Sequence, residues 1–123
     1  MGPKEILVVD DELDEVTTLT FLLVAEGYRV RHALNGLRAL QVLSQSAVDL
    51  VLTDYMMPHM DGCDLLRKIR ASKETATMPV LMISALPEVV VRMRCGPVGA
   101  FLHKPFPPRL LLSLVRDLLV AEP

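Results

Sequence analysis

The sequence predicts an α/β domain, a doubly wound parallel sheet of five strands with helices on both faces. Two observations carry this. Four short apolar runs recur along the chain, joined by a fifth segment of alternating character. Runs of that length, rich in β-branched residues and bounded by polar, Pro or Gly residues, read as buried strands. Between them lie stretches with apolar residues at helical spacing, and strand–helix alternation repeated five times implies parallel strands covered on both sides.

In chain order, Ile6-Leu7-Val8-Val9 is the first strand. Leu13 to Glu26 follows with apolar residues at 13, 16, 19, 22 and 23, and closes on Gly27, a natural residue just past a helix end. Tyr28-Arg29-Val30-Arg31-His32 alternates apolar and charged, the pattern of a strand with one wetter face, which belongs at the sheet edge. A helix over Leu37–Leu43 follows Asn35-Gly36, and Leu50-Val51-Leu52 is the next strand. Cys63 to Ile69 puts Leu65, Leu66 and Ile69 on one stripe after Asp61-Gly62. Val80-Leu81-Met82-Ile83 and Ala100-Phe101-Leu102 are the last two strands. The segment between them, around Glu88–Met93, is a weaker helix former: Val89-Val90-Val91 is β-branched and Pro97 cuts it off, so it is expected to be short or irregular. The last helix starts at Pro107-Pro108, acceptable at a helix start, and runs through Leu110–Leu119.

Composition fits one such domain over residues 1–123. With 51% hydrophobic and 23% charged residues the chain can bury a core, which argues against disorder or a coiled coil. A net charge of −2 offers no basic field to nucleic acid or to an anionic membrane. No run approaches the roughly 18 apolar residues of a membrane helix. The start, Met1-Gly2-Pro3-Lys4-Glu5, has no signal-peptide stretch, so a cytoplasmic location is expected. Two cysteines, Cys63 and Cys95, are too few for a disulfide scaffold and read as ordinary reduced thiols.

Ligands of open parallel sheets bind beyond the carboxyl ends of the strands. There the chain places Asp10-Asp11 and Glu12, then Asp54, then Ser84-Ala85, then His103-Lys104-Pro105. Taken singly, each has a plain reading: acids capping a helix, a turn residue, a solvated lysine. Their coincidence after successive strands favours chemistry. Packed carboxylates repel unless a proton or cation compensates them. Hard oxygen ligands suit Mg²⁺, which takes one or two carboxylates together with phosphate oxygens. An aspartate beside such an ion can attack a phosphoryl group, with Lys104 balancing charge and Ser84 donating a hydrogen bond.

The motifs ILVVDDE, DLVLTDYMMPHMDG, PVLMISA and FLHKPF, spread over essentially the whole chain, resemble those of the receiver domain of two-component response regulators, the CheY-like phosphoacceptor module. The resemblance implies the strand order 2-1-3-4-5. It also implies that Asp54 is phosphorylated, that Asp11 ligates Mg²⁺ directly, and that Asp10 acts on it through water. The backbone carbonyl of Met56 would complete the protein's metal ligands. Ser84 and Lys104 would contact the phosphoryl group, Lys104-Pro105 would be cis, and Phe101 would be the aromatic switch that turns inward when Ser84 moves. The implied donor is a sensor histidine kinase or a histidine phosphotransfer protein. The output face would be formed by the fourth helix, fifth strand and fifth helix, offered to an effector or a second copy. Such a domain is a signalling module that assists its own phosphorylation and dephosphorylation rather than an enzyme proper.

Three departures stand out. GAFLHK, from Gly99 to Lys104, is about two residues shorter before the aromatic than the family commonly has. The last helix carries Leu110, Leu111, Leu112, Leu114, Val115, Leu118, Leu119 and Val120, more than one stripe holds. The surplus, with Val90 or Val91, is expected either to form a partner patch or to make a wide core face. Met56 and Leu86 stand two residues beyond Asp54 and Ser84, positions that the resemblance places beside the attacking water's approach; two bulky apolar groups there would hinder water, so slow dephosphorylation is expected. Among rival readings, a flavodoxin-like cofactor binder would not fill its first loop with Asp10, Asp11, Glu12 and Asp14. An aspartyl phosphatase usually wants Asp-x-Asp. The serious alternative is a receiver-like interaction module not regulated by phosphorylation. The chain reads as a receiver without its effector, either a stand-alone regulator or a piece of a longer one.

Overall fold

In the computed structural model, which describes residues 2–120, the elements alternate along the whole chain. They are β1 (Glu5–Val9), α1 (Leu13–Ala25), β2 (Arg29–Ala33), α2 (Gly36–Gln45), β3 (Leu50–Asp54), α3 (Gly62–Ala71), β4 (Val80–Ser84), α4 (Glu88–Cys95), β5 (Ala100–His103) and α5 (Pro108–Val120). The part of the domain assignment that covers residue 1 and residues 121–123 lies outside the described residues. All strand pairs are parallel and the order is β2-β1-β3-β4-β5. This agrees with the sequence reading, including the edge position of β2.

The sheet explains the residue pattern. Ile6, Leu7, Val8 and Val9 of β1 and Leu50, Val51 and Leu52 of β3 are essentially inaccessible, as both faces of central parallel strands are covered. One core layer joins α2, α3 and α4 to the sheet through Ala39, Leu65, Ile69 and Val91. The other joins α1 and α5 through Val16, Leu23, Leu111 and Val115. β2 keeps only Ala33 buried, and its Arg31 pairs with Glu5 of β1 at 2.9 Å.

Local signals set the element ends. α1 closes with Gly27 at φ 95°, the Gly27 N–H on the Val24 carbonyl and the Tyr28 N–H on the Leu23 carbonyl, the bond pair of a Schellman cap. Asn35 caps α2 by accepting from the Arg38 N–H at 2.8 Å. Asp61 and Asp64 form a reciprocal capping box at α3. α4 is short, as its composition predicts, but it is a regular eight-residue helix rather than an irregular one. It ends on Gly96 at φ 77°, a conformation glycine adopts without strain.

One sequence expectation needs correction and another is refined. Cys63, near the start of α3, and Cys95, at the end of α4, are not separate thiols: they are joined as a disulfide with Cα atoms 5.7 Å apart. Their sequence separation of 32 carried no hint that α3 and α4 meet, because that contact is made by the sheet order. Of the α5 surplus, Leu111 and Val115 are buried, Leu112, Leu114, Leu118 and Leu119 lie partly buried against the α1–α5 core, and Leu110 and Val120 are exposed. On α4, Val91 is fully buried and Val90 half-buried. Most of the surplus is thus a wide core face, with two apolar side chains of α5 left at the surface. The most exposed apolar side chains near this region are Met93 of α4 at 82%, Val120 of α5 at 67% and Val89 of α4 at 64%.

Candidate functional site

The carboxyl edge of the sheet gathers the acidic residues because β1 and β3 are neighbours in register, Val9 opposite Thr53, so the next residues of both strands emerge side by side. One carboxylate oxygen from each of Asp10, Asp11 and Asp54 lies within 4.8 Å of the others. Asp10 is 2% exposed and Asp11 is exposed, while Asp54 sits between them. Asp10 is fixed from two sides: its N–H donates to the Ala33 carbonyl, and its Oδ1 accepts from the Glu12 N–H at 2.9 Å.

Asp54 is held by the backbone around it. The Thr53 hydroxyl donates to the Asp54 carbonyl, the Tyr55 N–H bonds the Ile83 carbonyl, and the Gly62 N–H returns to the Tyr55 carbonyl at 2.7 Å. Gly62 is required here, since a Cβ would lie 2.6 Å from the Asp54 carbonyl oxygen and 2.5 Å from the Met82 sulfur. Within the loop the Met60 N–H bonds the Pro58 carbonyl across His59, whose φ of 71° is the one positive value at a non-glycine among the described residues. Met56 is exposed and directly follows Asp54-Tyr55.

Lys104 brings the countercharge. Its Nζ stands 3.2 Å from Asp54 Oδ1 and 3.1 Å from Glu15 Oε1. Its backbone N–H bonds the Ser84 carbonyl at 2.8 Å, and the Lys104–Pro105 peptide is cis. Ser84 is fully buried, and its Oγ accepts from the Leu86 N–H at 2.9 Å, which leaves the hydroxyl proton free to donate. Phe101 is half-buried against the α2–α3–α4 core layer, one strand over from Met82.

The electrostatics show a site short of positive charge. Burial raises the Asp10 carboxyl from 3.8 to about 6, with the Asp54 charge adding to the rise and the Glu12 N–H opposing it. Burial also pushes Asp54 above the usual carboxylate range against the pull of Lys104. Burial works against the Lys104 ammonium as well, yet the Glu15 and Asp54 carboxylates hold it above the usual lysine range. One ammonium shared by two carboxylates cannot also neutralise Asp10 and Asp11. The donor set is all oxygen, partly open and in need of a cation, so the residues present fit a hard divalent ion.

Every sequence-predicted residue thus lies at this edge or just behind it. Sequence reasoning missed Glu15. Its place in the first turn of α1, over the carboxyl ends of the strands, was the available signal. It also missed Arg94 of α4, whose Nη1 reaches the Tyr55 hydroxyl at 3.4 Å, one residue from Asp54.

A family model described as the response regulator receiver domain matches residues 6–116. A rice two-component response regulator, ORR3, is 40% identical over 106 residues, covering 84% of this chain and 81% of that protein. The CpxR homolog of Haemophilus influenzae, a transcriptional regulatory protein, is 38% identical over 118 residues, covering 94% of this chain and 50% of its own length. The chain spans about half the length of several such curated relatives. Among solved structures, Vibrio cholerae chemotaxis protein CheY4 superimposes with a TM-score of 0.88 at 28% identity, over 96% of this chain and all of that one. The receiver domain of the Pseudomonas aeruginosa sensor histidine kinase PA1611, described with a magnesium ion coordinated in its active-site cleft, gives 0.87 at 26% identity, over 98% of this chain and all of that one.

Proposed function

The chain belongs to the response regulator receiver domain family, and on that premise we propose that it accepts a phosphoryl group on Asp54 from the phosphohistidine of a sensor histidine kinase or histidine phosphotransfer protein. The observation that supports this reading best is the Asp54 carboxylate itself. It ends a buried strand, its oxygens reach both the Lys104 ammonium and the Asp10–Asp11 pair, and its side chain is 11% exposed.

Asp10, Asp11, Asp54 and the backbone carbonyl of Met56 are the groups that would hold Mg²⁺. When bound, the ion supplies charge neutralisation for the phosphoryl oxygens at this edge. In the transfer, an Asp54 oxygen attacks phosphorus, the P–N bond to the donor imidazole breaks, and the pair of electrons leaves with the imidazole. Lys104, already 3.2 Å from Asp54, balances charge on the phosphoryl oxygens. Ser84 turns its free proton toward the same group. The exchange of a carboxylate for a dianionic phosphoryl then biases α4, β5 and α5, with Phe101 following Ser84, toward an effector or a second copy. Hydrolysis resets the domain. Placement beside an ATP-fed kinase makes the cytoplasm the working compartment; among the described residues no helix is long and apolar enough to cross a membrane.

Intact mass after incubation with phosphoramidate or acetyl phosphate tests this. Wild type with Mg²⁺ gains one phosphoryl mass, which is lost with a chelator and in Asp54→Ala. A wild type that never gains it is an interaction module working without phosphorylation.

A further inference from the structure

We propose that Cys63 and Cys95 are a reversible redox tether that sets how firmly α4 is held, so that the output side of the domain answers to thiol oxidants as well as to phosphorylation. The proposal rests on the receiver reading for its compartment and for the importance of α4. In a cytoplasmic protein a disulfide is expected to be transient and regulatory rather than a permanent staple.

The position of the pair carries the inference. Cys63 follows Gly62, whose N–H bonds the Tyr55 carbonyl one residue from Asp54. Cys95 is the last residue of α4. The bond therefore ties the phosphoacceptor loop, through the start of α3, to the far end of the helix that flanks it. Little else does so. α4 buries a single side chain, Val91. Its other anchors are polar and exposed or long: Arg92 Nη2 on the Gly99 carbonyl at 3.0 Å and Arg94 on the Tyr55 hydroxyl at 3.4 Å. Removing one covalent link from so lightly packed a helix changes its freedom more than the same change would in α3, which buries five residues.

The pair is also reachable. Both cysteines line a surface groove of about 460 Å³ together with Arg67, Arg70 and Val98, and Cys95 is the more exposed of the two. With a low-molecular-weight disulfide such as oxidised glutathione, the Cys95 thiolate attacks one sulfur, the glutathione S–S bond breaks and one glutathione thiolate leaves. The Cys63 thiolate then attacks Cys95 sulfur and expels the second. Two electrons pass from the protein dithiol to glutathione, and the two thiol protons end on the two glutathione molecules released.

The test uses the full chain across a series of glutathione redox buffers, with thiol alkylation and intact mass as one readout and amide hydrogen exchange over residues 88–96 as the other. Expected are two alkylated thiols in reducing buffer, none in oxidising buffer, full reversal by dithiothreitol, and exchange over α4 slowed about tenfold on oxidation. Cys63→Ser/Cys95→Ser keeps the fast exchange in every buffer. The comparison of oxidised with reduced wild type stands without that variant. Thiols alkylated in every buffer, oxidation only between molecules, or equal α4 exchange in both states would overturn the tether. Phosphoryl uptake from phosphoramidate is scored in the same samples. Its absence in both redox states overturns the receiver reading alone, whereas uptake with unresponsive α4 exchange overturns the tether alone.

Discussion

The carboxyl edge of β1 and β3 and the α4 side of the domain are built by opposite means. At the edge, Asp10 and Asp54 hang from strands whose side chains are inaccessible, and each has its backbone bonded to a neighbouring strand or loop. Position is secured there and charge is not: carboxylates outnumber the single ammonium within reach. Around α4 one ion pair is closed, Arg92 on Glu88 at 2.6 Å, but position depends on one buried valine, two arginine contacts and one disulfide. On the proposed reading, the rigid site with unbalanced charge is where an ion or a phosphoryl group is received, and the lightly held helix is where the response is given. The contrast teaches that the two tasks fall to neighbouring regions joined at Tyr55 and Gly62.

The largest expected effect breaks the α4 side. Opening a cross-link between residues 32 apart restores chain entropy to the unfolded state worth roughly 3.5 kcal/mol. Urea unfolding followed by far-ultraviolet circular dichroism should therefore show a clearly lower midpoint in reductant. An unchanged midpoint would mean that the two cysteines are not joined in solution.

The next effect sharpens the edge. Asp10 keeps its proton up to about pH 6 when folded but loses it near 3.8 when unfolded. Folding takes up a proton between those values. This group's contribution to stability is thus present at low pH, falls as pH rises through that window and stays lost above it, by roughly 3 kcal/mol in the metal-free protein. Asp10→Asn should raise the metal-free Tm at pH 7.5, flatten this pH dependence and weaken the stabilisation by Mg²⁺. A lower metal-free Tm in the variant would contradict the account of an edge short of positive charge.

A smaller effect concerns the path of water. Met56 is exposed two residues beyond Asp54 and Leu86 half-buried two residues beyond Ser84, neither able to hydrogen-bond and orient a water molecule. Met56→Asn should speed loss of the phosphoryl group by about tenfold, equivalent to ~1.4 kcal/mol of barrier, read by mass over time. A wild-type half-life of seconds would remove the idea that these side chains obstruct hydrolysis. Smallest is His59, at φ 71°. His59→Gly should relieve left-handed strain and gain about 0.5–1 kcal/mol by chemical denaturation.

The edge was legible in the sequence because a parallel sheet delivers the residue after each strand to one line, so finding the strands located Asp10, Asp11, Asp54, Ser84 and Lys104. Strand ends were less so: β3 runs to Asp54 because Thr53 is fully buried, although a polar residue at that point reads as a stop. Contacts between helices were not legible at all. The meeting of Cys63 with Cys95, of Glu15 with Lys104 and of Arg94 with Tyr55 depends on which helix lies over which strand. The apolar excess of α5 was ambiguous for the same reason. Only the packing against α1 shows that Leu112, Leu114, Leu118 and Leu119 belong to the core.

The account stands most directly on where the phosphoryl group goes. Wild type treated with phosphoramidate and Mg²⁺, then reduced with borohydride, converts an acyl phosphate to an alcohol that peptide mass mapping can locate. The account predicts that this mark falls on Asp54 and vanishes when Mg²⁺ is chelated. A mark on Asp10, Asp11 or Glu15 instead, or a phosphoryl adduct that borohydride leaves intact, would contradict it.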